Sequence, residues 1–234
     1  PAAMAFIEHG IHVICDKPLA LSLKEARALE KLLARKKNVI FALTHNYSGY
    51  PMIRQAKAMV AAGELGEIRV VQGEYPQDWL TTALEKTGQK QAAWRTDPKR
   101  SGAGGCIGDI GTHTYQLMCD VSGLSANELS ADLTTFVKGR ALDDNVHVML
   151  RFNNGARGMI WASQVAPGNE NGLKLRVYGT DRPSLALEIE RALAEVERHR
   201  VDTRRLEHEF PGFAALATDL RSGVSPAQGR AEML

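Results

Sequence analysis

Apolar and polar positions divide the chain into two halves with different periods. Ala2-Ala3-Met4-Ala5-Phe6-Ile7 is an apolar run closed by Glu8-His9-Gly10, the pattern of a helix ending in a glycine cap. Ile11-His12-Val13-Ile14-Cys15 follows as a short β-branched run. Helix, glycine, buried strand is the rhythm of an α/β unit built on a parallel sheet, so the chain enters this pattern in mid-domain. Ser22-Leu23-Lys24-Glu25 is a capping box: the serine hydroxyl can accept an amide of the first turn while Glu25 reaches back. Ala26, Leu29, Leu32 and Leu33 then mark one apolar face, which predicts a helix over about 22–36. Val39 to Thr44 is the next buried strand, and Pro51 opens a helix running to about Ala62.

After Gly66 the period changes to two. Residues 67–75 and later Val146, Val148, Leu150 and Phe152 alternate with polar positions, as half-buried antiparallel strands do. Asn153-Asn154-Gly155 predicts a tight hairpin into 156–164, with positive φ angles supplied by Asn-Gly. A further strand is expected at about 173–179, after the Pro167-Gly168-Asn169 turn. Ser101 to Asp109 is glycine-rich and reads as a flexible loop leading into a helix over about 110–121. From about 184 to 209 the chain becomes rich in Glu and Arg, with Leu185, Ile189, Leu193 and Val196 at rough helical spacing, a solvated helix face or a partner surface.

Composition narrows the classes further. The 234 residues correspond to about one and a half ordinary domains, enough for a core without disulfides. With 29 basic and 27 acidic residues the net charge is only +2, and neither sign forms a block that calls for nucleic acid or an anionic membrane. Three cysteines, Cys15, Cys106 and Cys119, without C-x-x-C spacing, point to a reducing cytoplasm rather than a disulfide framework. No apolar run is long enough to span a bilayer. The seven histidines contain no H-x-x-x-H pair, so no metal site is expected, and a G-x-S-x-G elbow is absent.

Four short stretches could carry chemistry. Asp16-Lys17-Pro18 lies where a parallel strand ends, the edge at which open α/β sheets bind ligands. Lys17 there is either a solvated lysine or a cation that hydrogen-bonds a substrate hydroxyl. Asp109 and His113, four apart near a helix start, share a face. They are either an N-cap and a satisfied core histidine, or a carboxylate–imidazole pair able to take a proton from an alcohol. Trp94-Arg95 sets an aromatic plane beside a guanidinium, suited to a flat cofactor ring or a phosphate, or else to a structural loop. His45-Asn46-Tyr47 ends the 39–44 strand at the same expected sheet edge, where a plain turn would also explain it.

Taken in order, Cys15-Asp-Lys-Pro-Leu-Ala20, Ser22-x-x-Glu25-Ala26, Asn46-Tyr47, Gly63-Glu-Leu-Gly66, Trp94-Arg95 and Gly108-Asp-Ile-Gly-Thr-His113 resemble the Gfo/Idh/MocA family, the glucose-fructose oxidoreductase and inositol dehydrogenase group. The resemblance spans roughly residues 1–180 and implies an α/β plus α+β chain. The C-terminal remnant of a Rossmann dinucleotide-binding domain (1–44) is followed by an open, mostly antiparallel β-sheet domain with helices on one face (45–180), then by an atypical charged segment (181–234). It implies an NAD- or NADP-dependent oxidoreductase acting on a sugar or cyclic polyol, and homo-oligomers formed through the open sheet. By position, Lys17, Asp109 and His113 match the family's catalytic lysine, aspartate and histidine. Asp16, Lys17, Pro18, Asn46, Trp94 and Arg95 match its cofactor-binding positions.

Three features depart from the family. Asp16 replaces the usual glutamate of the Glu-Lys-Pro motif, the G-x-G-x-x-G turn does not occur in these 234 residues, and the stretch after Thr180 does not align. A competing expectation is therefore a truncated, non-catalytic remnant that serves assembly and binds no cofactor.

Overall fold

The computed structural model describes residues 2–181 and 185–188. Its first part is a small helix–strand–helix–strand unit: α1 (Ala2–Glu8), β1 (Val13–Asp16), α2 (Leu23–Arg35) and β2 (Phe41–Thr44). The two strands pair in parallel, from Val13 opposite Phe41 to Asp16 opposite Thr44. Gly10 takes φ +77°, the left-handed turn that ends α1. Ser22 caps α2 by accepting the Glu25 N–H at 3.3 Å, while the Glu25 carboxylate accepts the Leu21 N–H at 3.0 Å, one residue earlier than a reciprocal box requires. Ile7, Leu29 and Leu32 form a shared core between the helices and the strands, joined by Met4, Val13 and Phe41. The opposite side is open, with Ile14 80% and Ile40 67% exposed.

A 3₁₀ turn (Asn46–Gly49) and α3 (Pro51–Ala61) lead into the second part, where β3 is Ile68–Pro76. Short helices α4 (Lys90–Arg95) and α5 (Pro98–Ser101) and a wide helical turn over Ile107–Gly111 precede α6 (Thr112–Ser122). Five more strands follow: β4 (Ala126–Thr134), β5 (Asn145–Phe152), β6 (Arg157–Ser163), β7 (Lys174–Gly179) and β8 (Leu185–Glu188). They form one six-stranded sheet in the order β4-β5-β6-β3-β7-β8, antiparallel throughout except for the parallel pairing of β3 with β6. Helix α6 lies across β3 at Gly73, where a Cβ would come within 2.3 Å of Thr114 and 3.0 Å of the Met118 sulfur. Any larger residue would push the helix, and the histidine it carries, off the sheet. The other face of the sheet is open and carries Met149 and Met159 among its exposed side chains.

Two expectations are corrected, and one strand lies outside them. The hairpin between β5 and β6 uses a positive φ only at Gly155 (+86°), with the Gly155 N–H bonded to the Phe152 carbonyl. It is a turn closed by one left-handed glycine rather than an Asn-Gly pair with two such residues. Leu185–Glu188, grouped with the helical spacing of the charged stretch, is a strand paired antiparallel with β7; the rest of that stretch, from 189 on, lies outside the described residues. The edge strand β4, absent from those expectations, is exposed along nearly its whole length although Leu129, Ala131 and Leu133 alternate with polar residues.

Arg140 ties the loop before α4 to the sheet. Its guanidinium donates to Asp144 Oδ2 at 3.0 Å, to Glu85 Oε2 at 3.0 Å and to the Thr82 carbonyl at 3.1 Å. Asp144, fully buried, also accepts the Phe136 and Val137 N–H groups. Burial pushes the Glu85 carboxyl up, but its hydrogen bonds, chiefly from Arg140, and the Arg140 charge outweigh this and hold it below the ordinary value.

Candidate active site

The carboxyl ends of two separate parallel pairs supply part of the site, and α4, the 107–111 turn and α6 supply the rest. At the end of β1 the chain turns through Lys17 and Pro18, joined by a cis peptide bond. At the ends of β3 and β6, Gln77 and Gln164 come together because parallel strands end on the same side: the Gln77 N–H bonds the Ser163 carbonyl and the Leu80 N–H bonds the Gln164 carbonyl.

Asp109 is placed by the glycine-rich loop, which is pinned rather than flexible. The Asp143 carboxylate accepts the N–H groups of Gly105 at 2.7 Å and Ile107 at 2.8 Å, and its carbonyl accepts that of Cys106. A Cβ at Gly105 would lie 2.2 Å from that carbonyl oxygen, so glycine is the residue that allows this contact. The wide turn over 107–111, with the Thr112 N–H reaching the Ile107 carbonyl, then presents Asp109 and His113 to a common space.

Lys17 Nζ donates to Asp109 Oδ1 at 2.6 Å and to the Asp109 carbonyl at 2.7 Å. The other carboxylate oxygen accepts Arg95 Nε at 3.1 Å and Gln164 Nε2 at 2.9 Å. Asp109 is thus neither a helix N-cap nor the partner of the imidazole: among the described residues no hydrogen bond joins it to His113. Its carboxylate orients Lys17 and Arg95 instead.

His113, 6% exposed, packs edge-on against Tyr47 with centroids 5.0 Å apart and against His45 at 5.6 Å. Its Nδ1 is buried without a hydrogen-bond partner, so the core does not satisfy this histidine. Burial first, and then the Lys17 charge, lower its pKa to about 4, with Asp109 acting weakly in the opposite sense. His45 is lowered by the same two causes in the same order. The Tyr47 and Tyr75 hydroxyls meet at 2.5 Å, and Tyr75 donates on to Asn171 Oδ1 at 2.6 Å. Burial, then the hydrogen bond to Tyr47, raises the Tyr75 phenol well above its ordinary value, so it stays protonated.

Lys17, Arg95, Asp109 and His113 line one cavity of about 410 Å³, with Tyr75, Gln77, Trp79, Gln89 and Gln91. Arg95 lies over the Trp94 ring at 4.3 Å. Asp16, Pro18, Asn46 and Trp94 are outside this lining. Asp16 is exposed at the end of β1 and accepts the Thr44 hydroxyl at 2.7 Å, and Asn46 is exposed just beyond β2. Sequence reasoning missed Gln164, Tyr75 and the three glutamines. The parallel pairing of β3 with β6 gathers Tyr75, Gln77 and Gln164, while Gln89 and Gln91 come with α4, and residue alternation does not distinguish parallel from antiparallel neighbours.

A two-stranded parallel unit with a lysine at its carboxyl edge is thus joined to an open mixed sheet whose covering helix α6 and the turn before it carry His113 and Asp109. Residues 53–182 match the family of GFO/IDH/MocA C-terminal domains, and residues 1–45 match the oxidoreductase family with an NAD-binding Rossmann fold. The chain belongs to the Gfo/Idh/MocA oxidoreductase family. It is 38% identical over 178 residues to the uncharacterized oxidoreductase YfiI of Bacillus subtilis, covering 75% of this chain and 45% of that protein. Among solved structures, it matches an oxidoreductase from Sinorhizobium meliloti with TM-score 0.68 and 50% identity, over 81% of this chain and 48% of that one. An inositol dehydrogenase homolog from Azotobacter vinelandii, complexed with NADH and myo-inositol, matches with TM-score 0.68 and 32% identity, over 79% and 52% of the two chains. The chain therefore spans about half the length of the relatives it matches.

Proposed function

We propose that the cavity is the alcohol site of an NAD- or NADP-dependent oxidoreductase that moves a hydride between the nicotinamide and a hydroxyl carbon of a sugar or cyclic polyol. The observation that carries this reading is the placement of Lys17 Nζ, fixed by two oxygens of Asp109, in the same cavity as a histidine held neutral at neutral pH. An ammonium group has three N–H donors, and two are spent on Asp109. The third is left for a substrate oxygen. The neutral imidazole takes the hydroxyl proton as the C–H hydride departs and the carbonyl forms, so charge and atoms balance without water. Negative charge growing on the oxygen offsets Lys17, which makes the imidazole more basic as the reaction proceeds.

The residues present suit the nicotinamide end of the cofactor. Asp16, Lys17, Pro18 and Asn46 stand at the carboxyl edge of the parallel β1–β2 pair, and Trp94 lies against Arg95, which lines the cavity. These would hold the nicotinamide and its ribose, and the nicotinamide, when bound, supplies the hydride acceptor. Myo-inositol in the Azotobacter vinelandii homolog and levoglucosan in the levoglucosan dehydrogenase complex support a cyclic, hydroxyl-rich substrate. In this reading residues 1–44 serve the cofactor and 45–180 the substrate.

Titration of the chain with NADH and NADPH, followed by nicotinamide fluorescence, tests the proposal. Saturable binding of either is expected. A folded chain that binds neither would instead be the non-catalytic assembly domain. The same reading takes the open sheet face around Met149 and Met159 as a self-association surface. Sedimentation velocity should show a dimer or larger species, and a monomer at tens of micromolar would contradict it.

A further inference from the structure

The side-chain acceptors of the cavity wall are for the most part already engaged. Gln89 Oε1 accepts the Ala92 backbone N–H at 2.6 Å, Gln91 Oε1 accepts Trp94 Nε1 at 3.2 Å and also Arg95, and Gln77 Oε1 accepts Trp79 Nε1 at 3.0 Å. Each of these partners is a group that can only donate, so each amide is oriented with its oxygen turned into the wall. Both Asp109 carboxylate oxygens are occupied by Lys17, Arg95 and Gln164, and the Tyr75 oxygen meets Tyr47 while its proton goes to Asn171.

What remains are donors. Gln89 Nε2, Gln91 Nε2 and Arg95 Nη2 have no partner among the described residues, and Lys17 keeps its third N–H. The fixed charges lining the cavity are Lys17 and Arg95 against Asp109 alone, an excess of one positive charge. His113, neutral, is the remaining acceptor, and the reacting hydroxyl uses it.

A neutral polyol fits such a wall poorly, because every hydroxyl brings a proton that needs an acceptor, whereas a carboxylate or phosphate brings acceptors only. Arg95 adds shape: with Nε tied to Asp109, Nη1 on Gln91 and the guanidinium over the Trp94 ring, its Nη2 is held in place as a fixed charged donor for an oxyanion. We propose that the substrate is an oxyanion-bearing sugar derivative, a sugar acid or sugar phosphate, whose charged group meets Arg95, Gln89 and Gln91 while its reacting hydroxyl lies between Lys17 and His113. This rests on the cavity being the substrate site, as proposed above.

The test is binding to the full chain without cofactor, read by tryptophan fluorescence, since Trp79 lines the cavity and Trp94 lies under Arg95. The probes are glucose, gluconate, glucuronate, glucose 6-phosphate and inorganic phosphate. At least one of the three anionic sugars should bind about tenfold or more tightly than glucose, and more tightly than inorganic phosphate. The advantage should fall to within about threefold in Arg95→Gln, and part of it should be lost in Arg95→Lys, which keeps the charge without the fixed Nη2 donor. Preference for glucose, failure of every anionic sugar to saturate, or an advantage that survives Arg95→Gln would overturn the inference. So would loss of the advantage on saturation with NADH, because Arg95 would then serve the cofactor's phosphates. A chain that selects anionic sugars yet binds neither NADH nor NADPH would sink the oxidoreductase reading and leave this one standing.

Discussion

His113→Ala is expected to lower turnover by about 10²- to 10⁴-fold in a preparation that binds NADH or NADPH, with a much smaller change in KM. The imidazole touches Tyr47 and His45 by ring edges rather than by hydrogen bonds, so its removal takes away a proton acceptor and leaves the Lys17–Asp109 contact intact. His113→Gln separates the two contributions, since it fills the space with an amide that cannot take the proton. Both variants should be slow to a similar degree, measured by the appearance of reduced nicotinamide at saturating substrate. Turnover within about threefold of the parent in His113→Gln would remove the histidine from the proton step.

Arg140→Met should cost about 3–5 kcal/mol of unfolding free energy, the largest stability effect expected in the described part of the chain. The arginine is enclosed, and its loss leaves the fully buried Asp144 carboxylate with backbone donors alone and Glu85 without its ion-pair partner. The penalty comes from the stranded charges more than from the lost attraction. Arg140→Met combined with Asp144→Asn and Glu85→Gln should therefore recover much of the loss. Urea unfolding followed by tryptophan fluorescence measures both, and a loss under about 1 kcal/mol in the single variant would show that the network is not a tether. Because the network holds the 82–85 loop, the single variant should also loosen the wall carrying Gln89 and Gln91.

Local signals along the chain are clear where one residue type decides the outcome. Ser22 and Glu25 mark the start of α2, Gly10 the end of α1, and Pro51 the first turn of α3. Pairing across the sheet is not decided locally. The partner of β3 is β6, some ninety residues away, and nothing in Val70, Gln72 or Glu74 distinguishes a parallel neighbour from an antiparallel one. In β4 the alternation of Leu129, Ala131 and Leu133 with Ser130, Asp132 and Thr134 is readable, although as an edge strand it stays largely exposed, and a single left-handed residue, Gly155, suffices in a hairpin where Asn154 suggested two.

The same division runs through the site. Lys17, Asp109 and His113 were legible through ordered motifs, and their placement in one cavity follows from where β1 and the 107–111 turn end. The carboxylate's actual partners were not legible. Gln164 and Arg95 reach Asp109 from 55 and 14 residues away, and that geometry exists only once β6 and α4 are in place. The flexibility expected from the glycines of 102–108 gave way to close packing on Asp143, since small residues permit both.

The claim on which all of this depends is that Lys17 and His113 face one another's charge across a single cavity. NMR titration of the His113 imidazole in the parent chain and in Lys17→Met addresses it directly. The parent imidazole should take up its proton near pH 4, and the variant at a clearly higher pH, because the second-largest cause of the lowering has been removed while burial remains. A parent value near the ordinary 6.5, unmoved by the substitution, would place the two groups in separate environments and contradict the account.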